Sequence, residues 1–327
     1  MPFDPKNVSN ATLFDHSLPF VVTFLLVDVW GAVSLFFYVL VLVVILRYRK
    51  KRFPGAFYTL MVAMGIADIG CLLCHFFLLN PALFIGQNHL SFWYIAFWGF
   101  LWEWLNNAST SHIPFIALNR LLAVYCPQSY EQYFGTGTLV FMILFSYLGD
   151  LFYTIWMYWC TIFLYVKGFA YTHYRVAGSC AMTTVTGRQM QDAIGITVSM
   201  AINIATFIKV KQIRKLTGAN ANSAQNKKEM KMLLQFATIF AFFTFHSVGF
   251  WVVEFSADII SHDIAEMIHT TVFVIHSSVN PFMMLLFGTD VKQVALGCCN
   301  RKVGQTTTGG TNSKSAAKSN NVNSVNT

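Results

Sequence analysis

The sequence predicts an all-α membrane protein built as a bundle of seven transmembrane helices. Its composition is 55% apolar and only 11% charged, which is too apolar for an ordinary soluble domain. A helix needs about 20 apolar residues to cross ~30 Å of hydrocarbon, and seven separate runs are long enough. These runs lie at 25–46, 56–79, 92–118, 138–166, 189–208, 232–257 and 265–287.

The basic residues add a third observation, because they are concentrated on one side of the predicted bundle. Most of the 22 Lys and Arg residues follow the first, third, fifth and seventh runs, and the other side holds only Lys6, Lys167, Arg175 and Arg188. Lys and Arg are retained in the cytoplasm during membrane insertion. We therefore expect the amino terminus outside and the carboxyl terminus inside. The net charge of +8 then indicates a collar facing anionic lipid, and no nucleic-acid partner is expected.

Three regions follow from this topology. Residues 1–24 form an extracellular segment, residues 25–288 the seven-transmembrane domain, and residues 289–327 a cytoplasmic part. In the last of these, a short helix is expected near Thr289–Leu296, followed by a disordered polar tail that has little to bury. The patterns Asn7-Val8-Ser9 and Asn10-Ala11-Thr12 predict glycosylation at Asn7 and Asn10, on the side assigned as outer.

Three polar residues fall at a similar depth in three different helices. Counted from the inner helix ends at 1.5 Å per residue, Asp68, Ser109 and Asn280 all lie just inside the midplane. A charged side chain there costs about 2.5–3.5 kcal/mol on insertion scales, so its presence needs a reason. Two interpretations stay open: a site for a small cation or water, and a hydrogen-bonded knot between helices without an ion.

A second carboxylate lies in the outer third of the third helix. Glu103 stands between Trp102 and Trp104, and Asn106 follows about one turn below. This position favours contact with a ligand, but snorkelling of the side chain towards the membrane surface or an ion pair with Arg175 or Arg188 would also explain it.

Two motifs carry a resemblance to a known family. The third helix ends in Asn119-Arg120-Leu121, followed by Pro127 and by Tyr130-Glu131-Gln132-Tyr133-Phe134, and the seventh contains Asn280-Pro281. With seven helices, the chain resembles the G-protein-coupled receptor superfamily over about residues 20–300. It is most similar to the nematode serpentine chemoreceptors of the Srg, Srv or Srx kind.

The resemblance implies roles for matching positions. Arg120 stands where receptors keep the arginine that restrains helix six at rest and faces the G protein when active. Asn119 replaces the acid of that motif, so it cannot hold Arg120 by charge, and Glu229 becomes a candidate partner. Asp68, Ser109 and Asn280 match the spacing of the receptor sodium site, which favours Na⁺ as an allosteric ion. No other cofactor and no metal centre is expected.

The resemblance also implies a non-enzymatic plasma-membrane receptor with two partners, a small extracellular ligand and a heterotrimeric G protein. An aromatic cavity between helices three, five, six and seven suits small, mostly apolar ligands such as odorants. The candidate pocket residues are Trp102, Glu103, Asn106, Trp251 and His269.

The cysteines depart from the receptor pattern. No cysteine stands at the outer end of the third helix, so the usual disulfide to Cys180 cannot form, and Cys160 and Cys74 remain as possible partners. Cys298 and Cys299 predict S-palmitoylation beyond the seventh helix, the alternative being two unmodified thiols.

Two other classes of membrane protein compete with the receptor. A transporter or a ligand-gated channel would use the intramembrane carboxylates Asp68, Glu103, Asp150 and Glu254. The chain shows no half-chain repeat of the transporter kind, and the seven-helix odorant channels have their amino terminus inside. A retinal pigment is excluded as well, because residues 265–288 contain no lysine.

Overall fold

Long helices make up most of the chain that the structure describes. The computed structural model describes residues 18–53, 55–81, 90–160, 162–167, 170–175, 179–216, 234, 237–245, 247–249, 262–287, 291, 292 and 294. The helices are α1 (Leu18–Arg52), α2 (Ala56–Pro81), α3 (Phe92–Tyr125), α4 (Tyr130–Tyr133), α5 (Thr136–Trp159), α6 (Ser179–Leu216), α7 (Ala237–Gly249) and α8 (His262–Phe287). Apart from the short α4, they correspond in order to the seven predicted runs.

Local signals explain two boundaries that the sequence predicts well. α3 begins at Phe92, because Ser91 caps it: the Ser91 hydroxyl accepts a hydrogen bond from the Tyr94 backbone N–H at 3.1 Å. α2 ends at Pro81, directly after Asn80. Both helices therefore start or stop where a capping or breaking residue stands.

The fourth run is shorter as a helix than the apolar pattern predicts. α5 ends at Trp159, and residues Ile162–Lys167 form strand β1, which pairs antiparallel with β2, Ala170–Arg175. A disulfide joins Cys160 to Cys180 with a Cα–Cα distance of 5.6 Å. Cys160 is therefore the partner of Cys180, whereas Cys74 is a free, buried thiol. The disulfide holds the ends of α5 and α6 together at the base of this hairpin.

The fifth helix is longer than its apolar run. The run predicts residues 189–208, but α6 extends from Ser179 to Leu216. Hydropathy identifies only the part of a helix that suits hydrocarbon. The added turns of α6 contain no proline, so the helical hydrogen bonds continue through them. Residues 179–188, which precede the apolar run, therefore belong to α6.

Five of the described helices are long and apolar enough to cross a membrane. In one of them, α5, the buried side chains include Ser146, Asp150 and Thr154, while Phe141 and Phe152 are exposed. A helix that is polar inside and apolar outside suits hydrocarbon surroundings. α3 is not among the five, because many polar side chains lower its hydropathy. It packs against α2, α5 and α6, so protein rather than lipid surrounds much of it.

Two apolar clusters fill the bundle at different depths. One includes Leu60, Met64 and Ile116, and the other includes Ala67, Trp102 and Phe273. In lipid, helices associate through close packing and hydrogen bonds rather than through the hydrophobic effect. The close approach of α2 to α3 illustrates this, since a Cβ at Gly70 would overlap the Leu105 side chain.

The two ends of the bundle are formed by different helices and strands. The carboxyl ends of α1, α3, α6 and α8 meet at one end, called here the Arg120 end. The opposite end carries the hairpin, where β1 lies against α3 and β2 against α8. Beyond α8, residues 291, 292 and 294 are helical, and Val291 and Val294 are buried. The rest of the predicted short helix and the tail lie outside the described residues.

Candidate functional site

A buried hydrogen-bonded cluster joins four helices around Asp68. The Asp68 carboxylate, 1% exposed, accepts hydrogen bonds from the hydroxyls of Tyr38 in α1 and Ser109 in α3. It also accepts one from the side-chain amide of Asn280 in α8, at 2.7 Å. Ser109 and Asn280, which the sequence places at the depth of Asp68, therefore both contact Asp68 directly.

Tyr38 is the member of this cluster that the sequence analysis does not predict. It lies within the apolar run of α1 and is only 3% exposed. A hydroxyl at that depth needs a hydrogen-bond partner, but a tyrosine in such a run looks equally like a lipid-facing aromatic. With this third donor, Asp68 Oδ2 accepts hydrogen bonds from both Tyr38 and Asn280, and Oδ1 accepts one from Ser109.

Asn119 connects the end of α3 to α4. Its side-chain amide donates to the Tyr130 hydroxyl at 2.7 Å, and the Tyr130 ring stacks on Phe134 at 5.6 Å between centroids. Asn119 is 1% exposed. Asn119, which replaces the acid of the receptor motif, therefore ties α4 to the end of α3. It forms this hydrogen bond instead of an ion pair with Arg120.

Arg120 is held by an aromatic ring. Its guanidinium carbon lies 3.4 Å from the centroid of Phe57, at the start of α2, which is a close cation–π contact. Its Nε and Nη2 atoms are buried and have no hydrogen-bond partner among the described residues. Glu229, the predicted partner, lies outside the described residues. The Arg120 side chain thus packs against the start of α2, and its Nε and Nη2 atoms remain able to donate hydrogen bonds.

The predicted pocket residues of α3 lie in its half nearer the hairpin. Trp102 packs against Phe273 of α8 with 4.6 Å between ring centroids. Glu103 is 5% exposed, whereas Asn106 is half-buried. His269 lies on α8 one turn before Phe273. At the same end of the bundle, β1 lies against α3 and β2 against α8.

Several predicted site residues lie outside the described residues. These are Asn7 and Asn10 in the amino-terminal segment, Glu229 and Trp251 around α7, and Cys298 and Cys299 after α8. Their predicted roles in glycosylation, coupling, ligand binding and palmitoylation stay predictions. For His269 the structure gives the backbone position in α8 but not the side chain.

Comparison with known proteins places this architecture in a family. The model of the family described as "Serpentine type 7TM GPCR chemoreceptor Srv" matches residues 29–298, most of the chain. A crystal structure of squid rhodopsin is similar with a TM-score of 0.72 at 12% sequence identity, covering 90% of this chain and 89% of that chain. At that identity the likeness shows the fold alone. No curated protein matches the chain significantly.

The family and the fold agree with the residues that suggested them. The match spans α1 to α8 with the Asn119-Arg120-Leu121 and Asn280-Pro281 motifs, and of the three nematode kinds that the sequence resembles it selects Srv. Proteins of this family and fold are multi-pass membrane receptors and are generally not enzymes. The chain belongs to the Srv family of serpentine seven-transmembrane chemosensory G-protein-coupled receptors.

Proposed function

We propose that the chain lies in the plasma membrane with its amino terminus outside, binds a small extracellular ligand, and activates a heterotrimeric G protein from its Arg120 end. Basic side chains gather at that end. Arg49 donates to Thr59 at 3.1 Å, Arg120 lies over Phe57, and the Lys209 ammonium is 5.1 Å from the Tyr125 ring centroid. The positive-inside tendency supports a cytoplasmic location for this end.

The observation that best supports a coupling role is that two buried nitrogen atoms of Arg120 have no hydrogen-bond partner among the described residues. Arginine has five N–H donors and no acceptor, and buried groups without partners are rare enough to need an explanation. A G-protein segment offering carbonyl or carboxylate oxygens would satisfy Arg120 Nε and Nη2, which the described residues leave unbonded. Release from Phe57 would then be offset by new charge-assisted hydrogen bonds.

The ligand site is proposed in the half of α3 nearer the hairpin. Trp102 and Phe273 form an aromatic contact between α3 and α8, and Glu103 lies beside it in sequence. Aromatic walls with few polar groups suit small apolar molecules such as odorants. A ligand that binds two packings of the bundle unequally shifts the population between them. The retinal chemistry of a rhodopsin does not carry over, because α8 has no lysine.

A screen in cells tests this function. Cells expressing the receptor with a co-expressed G protein would be exposed to volatile and water-soluble odorants, with calcium or cAMP as the readout. At least one compound should give a saturable response that is absent from untransfected cells. Trp102→Ala should weaken that response, whereas Trp93→Ala, at an exposed ring of the same helix, should not. A ligand-evoked current or flux that persists without G protein would contradict the proposal.

Phe57→Ala should raise ligand-independent nucleotide exchange several-fold at matched surface expression. The ring contact with Arg120 is worth about 1–2 kcal/mol, and 1.4 kcal/mol is tenfold in an equilibrium. Phe57→Trp keeps an aromatic face and should stay near wild type, as should Tyr133→Ala, which removes an exposed ring at the same end. Unchanged basal exchange in Phe57→Ala would show that the contact does not restrain the receptor.

Sodium binding at the Asp68 cluster is a separate proposal. The Asp68 carboxylate, Ser109 Oγ and Asn280 Oδ1 are oxygen ligands of suitable type, and Asn280 Oδ1 is buried without a hydrogen-bond partner among the described residues. Bound sodium would supply positive charge beside the carboxylate. NaCl, but not choline chloride, should then raise the melting temperature of purified receptor, and Asp68→Asn should remove the difference. Equal effects of both salts would leave the direct hydrogen-bonded cluster as the whole account.

A further inference from the structure

We propose that a cavity between α1, α7 and α8 binds a molecule with a long aliphatic chain that reaches it from the bilayer. The cavity has a volume of about 630 Å³, within the range of about 300–1,000 Å³ typical of small-molecule sites. Its lining includes none of the predicted pocket residues, and the proposal does not depend on the proposed function. Representative lining residues are Val27, Trp30, Phe242, Ile275, Phe282 and Leu286.

The chemistry of the wall selects the class of ligand. Among the described lining residues, the Thr271 hydroxyl and the Trp30 indole N–H are the only strongly polar side-chain groups. A ligand bearing charges or several hydrogen-bonding groups would lose its hydration here without compensation. Hydrocarbon loses nothing in such surroundings. The wall therefore favours an aliphatic molecule whose polar group, if it has one, stays at an end of the cavity.

The shape of the cavity favours an extended chain. Along α8 the lining runs from Thr271 to Leu286, about 22 Å at 1.5 Å per residue. That length exceeds half of the ~30 Å hydrocarbon core. A volume of about 630 Å³ over that length leaves a mean cross-section of about 29 Å², which fits an extended acyl chain better than a compact ring system.

The rim indicates that the ligand enters from the lipid. Leu26 and Leu286 are 66% and 62% exposed, and Trp30 is 41% exposed. All three belong to helices apolar enough to span a membrane, so their exposed parts face hydrocarbon. A molecule dissolved in the bilayer reaches the cavity without crossing the hairpin end.

The cavity is also physically connected to the Asp68 cluster. Phe282, in its wall, stacks on Trp30 at 5.0 Å and meets Phe37 at 5.3 Å between centroids. Two residues earlier on the same helix, Asn280 donates to Asp68. An aliphatic chain bound against Phe282 therefore contacts the same segment of α8 that contributes Asn280 to the Asp68 cluster.

Photolabelling tests the site directly. Purified full-length receptor in lipid nanodiscs would be irradiated with stearic acid that carries a diazirine at mid-chain, and labelled peptides would be mapped by mass spectrometry. Labelling should saturate on peptides containing residues 26–30 and 271–286, and excess unlabelled stearic acid should abolish it. Ile275→Trp, which fills the cavity, should reduce labelling at least tenfold. Leu144→Trp, at an exposed position of α5, should not.

Three outcomes would overturn the proposal. One is labelling that never saturates and spreads over exposed residues of α5 and α6. Another is equal, saturable labelling by a phospholipid with the same diazirine chain, since the cavity would then belong to bulk lipid. The third is unchanged labelling in Ile275→Trp. If that variant does not purify as a folded monomer, Leu26→Trp at the rim replaces it, because an exposed position tolerates the larger ring.

Discussion

Arg120→Ala should reduce ligand-driven nucleotide exchange to the level of membranes without receptor, while surface expression stays near wild type. Truncating one partner of a buried charge contact costs about 2–5 kcal/mol, enough to abolish a measurable response. Expression should survive because Arg120 Nε and Nη2 have no hydrogen-bond partner among the described residues. Among the described residues, removing the side chain therefore loses the cation–π contact with Phe57 but no hydrogen bond from these two atoms. GTPγS binding and surface labelling on the same cells provide the two measurements.

The same experiment can be run before any ligand is known. If Phe57→Ala raises basal exchange by freeing Arg120, the double variant with Arg120→Ala should lose the rise completely. Phe57→Ala combined with Arg49→Ala provides a matched control and should keep the rise in basal exchange. Arg49 lies at the same end of the bundle, but its hydrogen bond to Thr59 is at an exposed site. Elevated exchange that persists in the double variant would mean that Arg120 is not the group that engages the G protein.

Asp68→Ala should have the largest effect on stability. It leaves the buried donors of Tyr38, Ser109 and Asn280 without their shared acceptor. Interhelical hydrogen bonds in membranes contribute about 0.6–1.7 kcal/mol each, so the loss is about 2–5 kcal/mol. We expect surface expression to fall to a small fraction of wild type and the melting temperature of purified receptor to drop.

The control for this variant is chosen by burial. Glu131→Ala removes an exposed carboxylate in α4 and should change neither expression nor melting temperature. Asp68→Asn keeps the shape but replaces an acceptor by a donor, so it should fall between wild type and Asp68→Ala. Normal expression of Asp68→Ala would show that the cluster contributes little to holding α1, α2, α3 and α8 together.

The Asp68 cluster shows what depth in the membrane can predict. Fixed helix rise and alternating topology place Asp68, Ser109 and Asn280 in one layer, and the structure finds them bonded. Tyr38 escapes that argument because an aromatic ring is ordinary in an apolar run. Only its burial at 3% shows that the ring faces the bundle, and orientation about a helix axis is not encoded when nearly every side chain in a run is apolar.

The hairpin and the partner of Arg120 escape sequence reasoning for different reasons. Residues Ile162–Lys167 continue the apolar run of α5, and a short apolar stretch does not distinguish a strand from a helix end by periodicity. The predicted topology leaves Cys160 and Cys74 as possible disulfide partners of Cys180, because both lie towards the outer side of the membrane, and it does not choose between them. The contact of Arg120 with Phe57 joins a charge to a neutral ring, so a search for opposite charges directs attention to Glu229 instead.

The orientation of the chain is the claim on which the pocket, the coupling surface and the glycosylation sites all depend. Epitopes fused to the amino terminus and to the carboxyl terminus can be stained on the same cells before and after permeabilisation. The account predicts that the amino-terminal epitope stains on intact cells and that the carboxyl-terminal epitope appears only after permeabilisation. The reverse pattern would place Arg120 outside the cell and contradict the receptor mechanism.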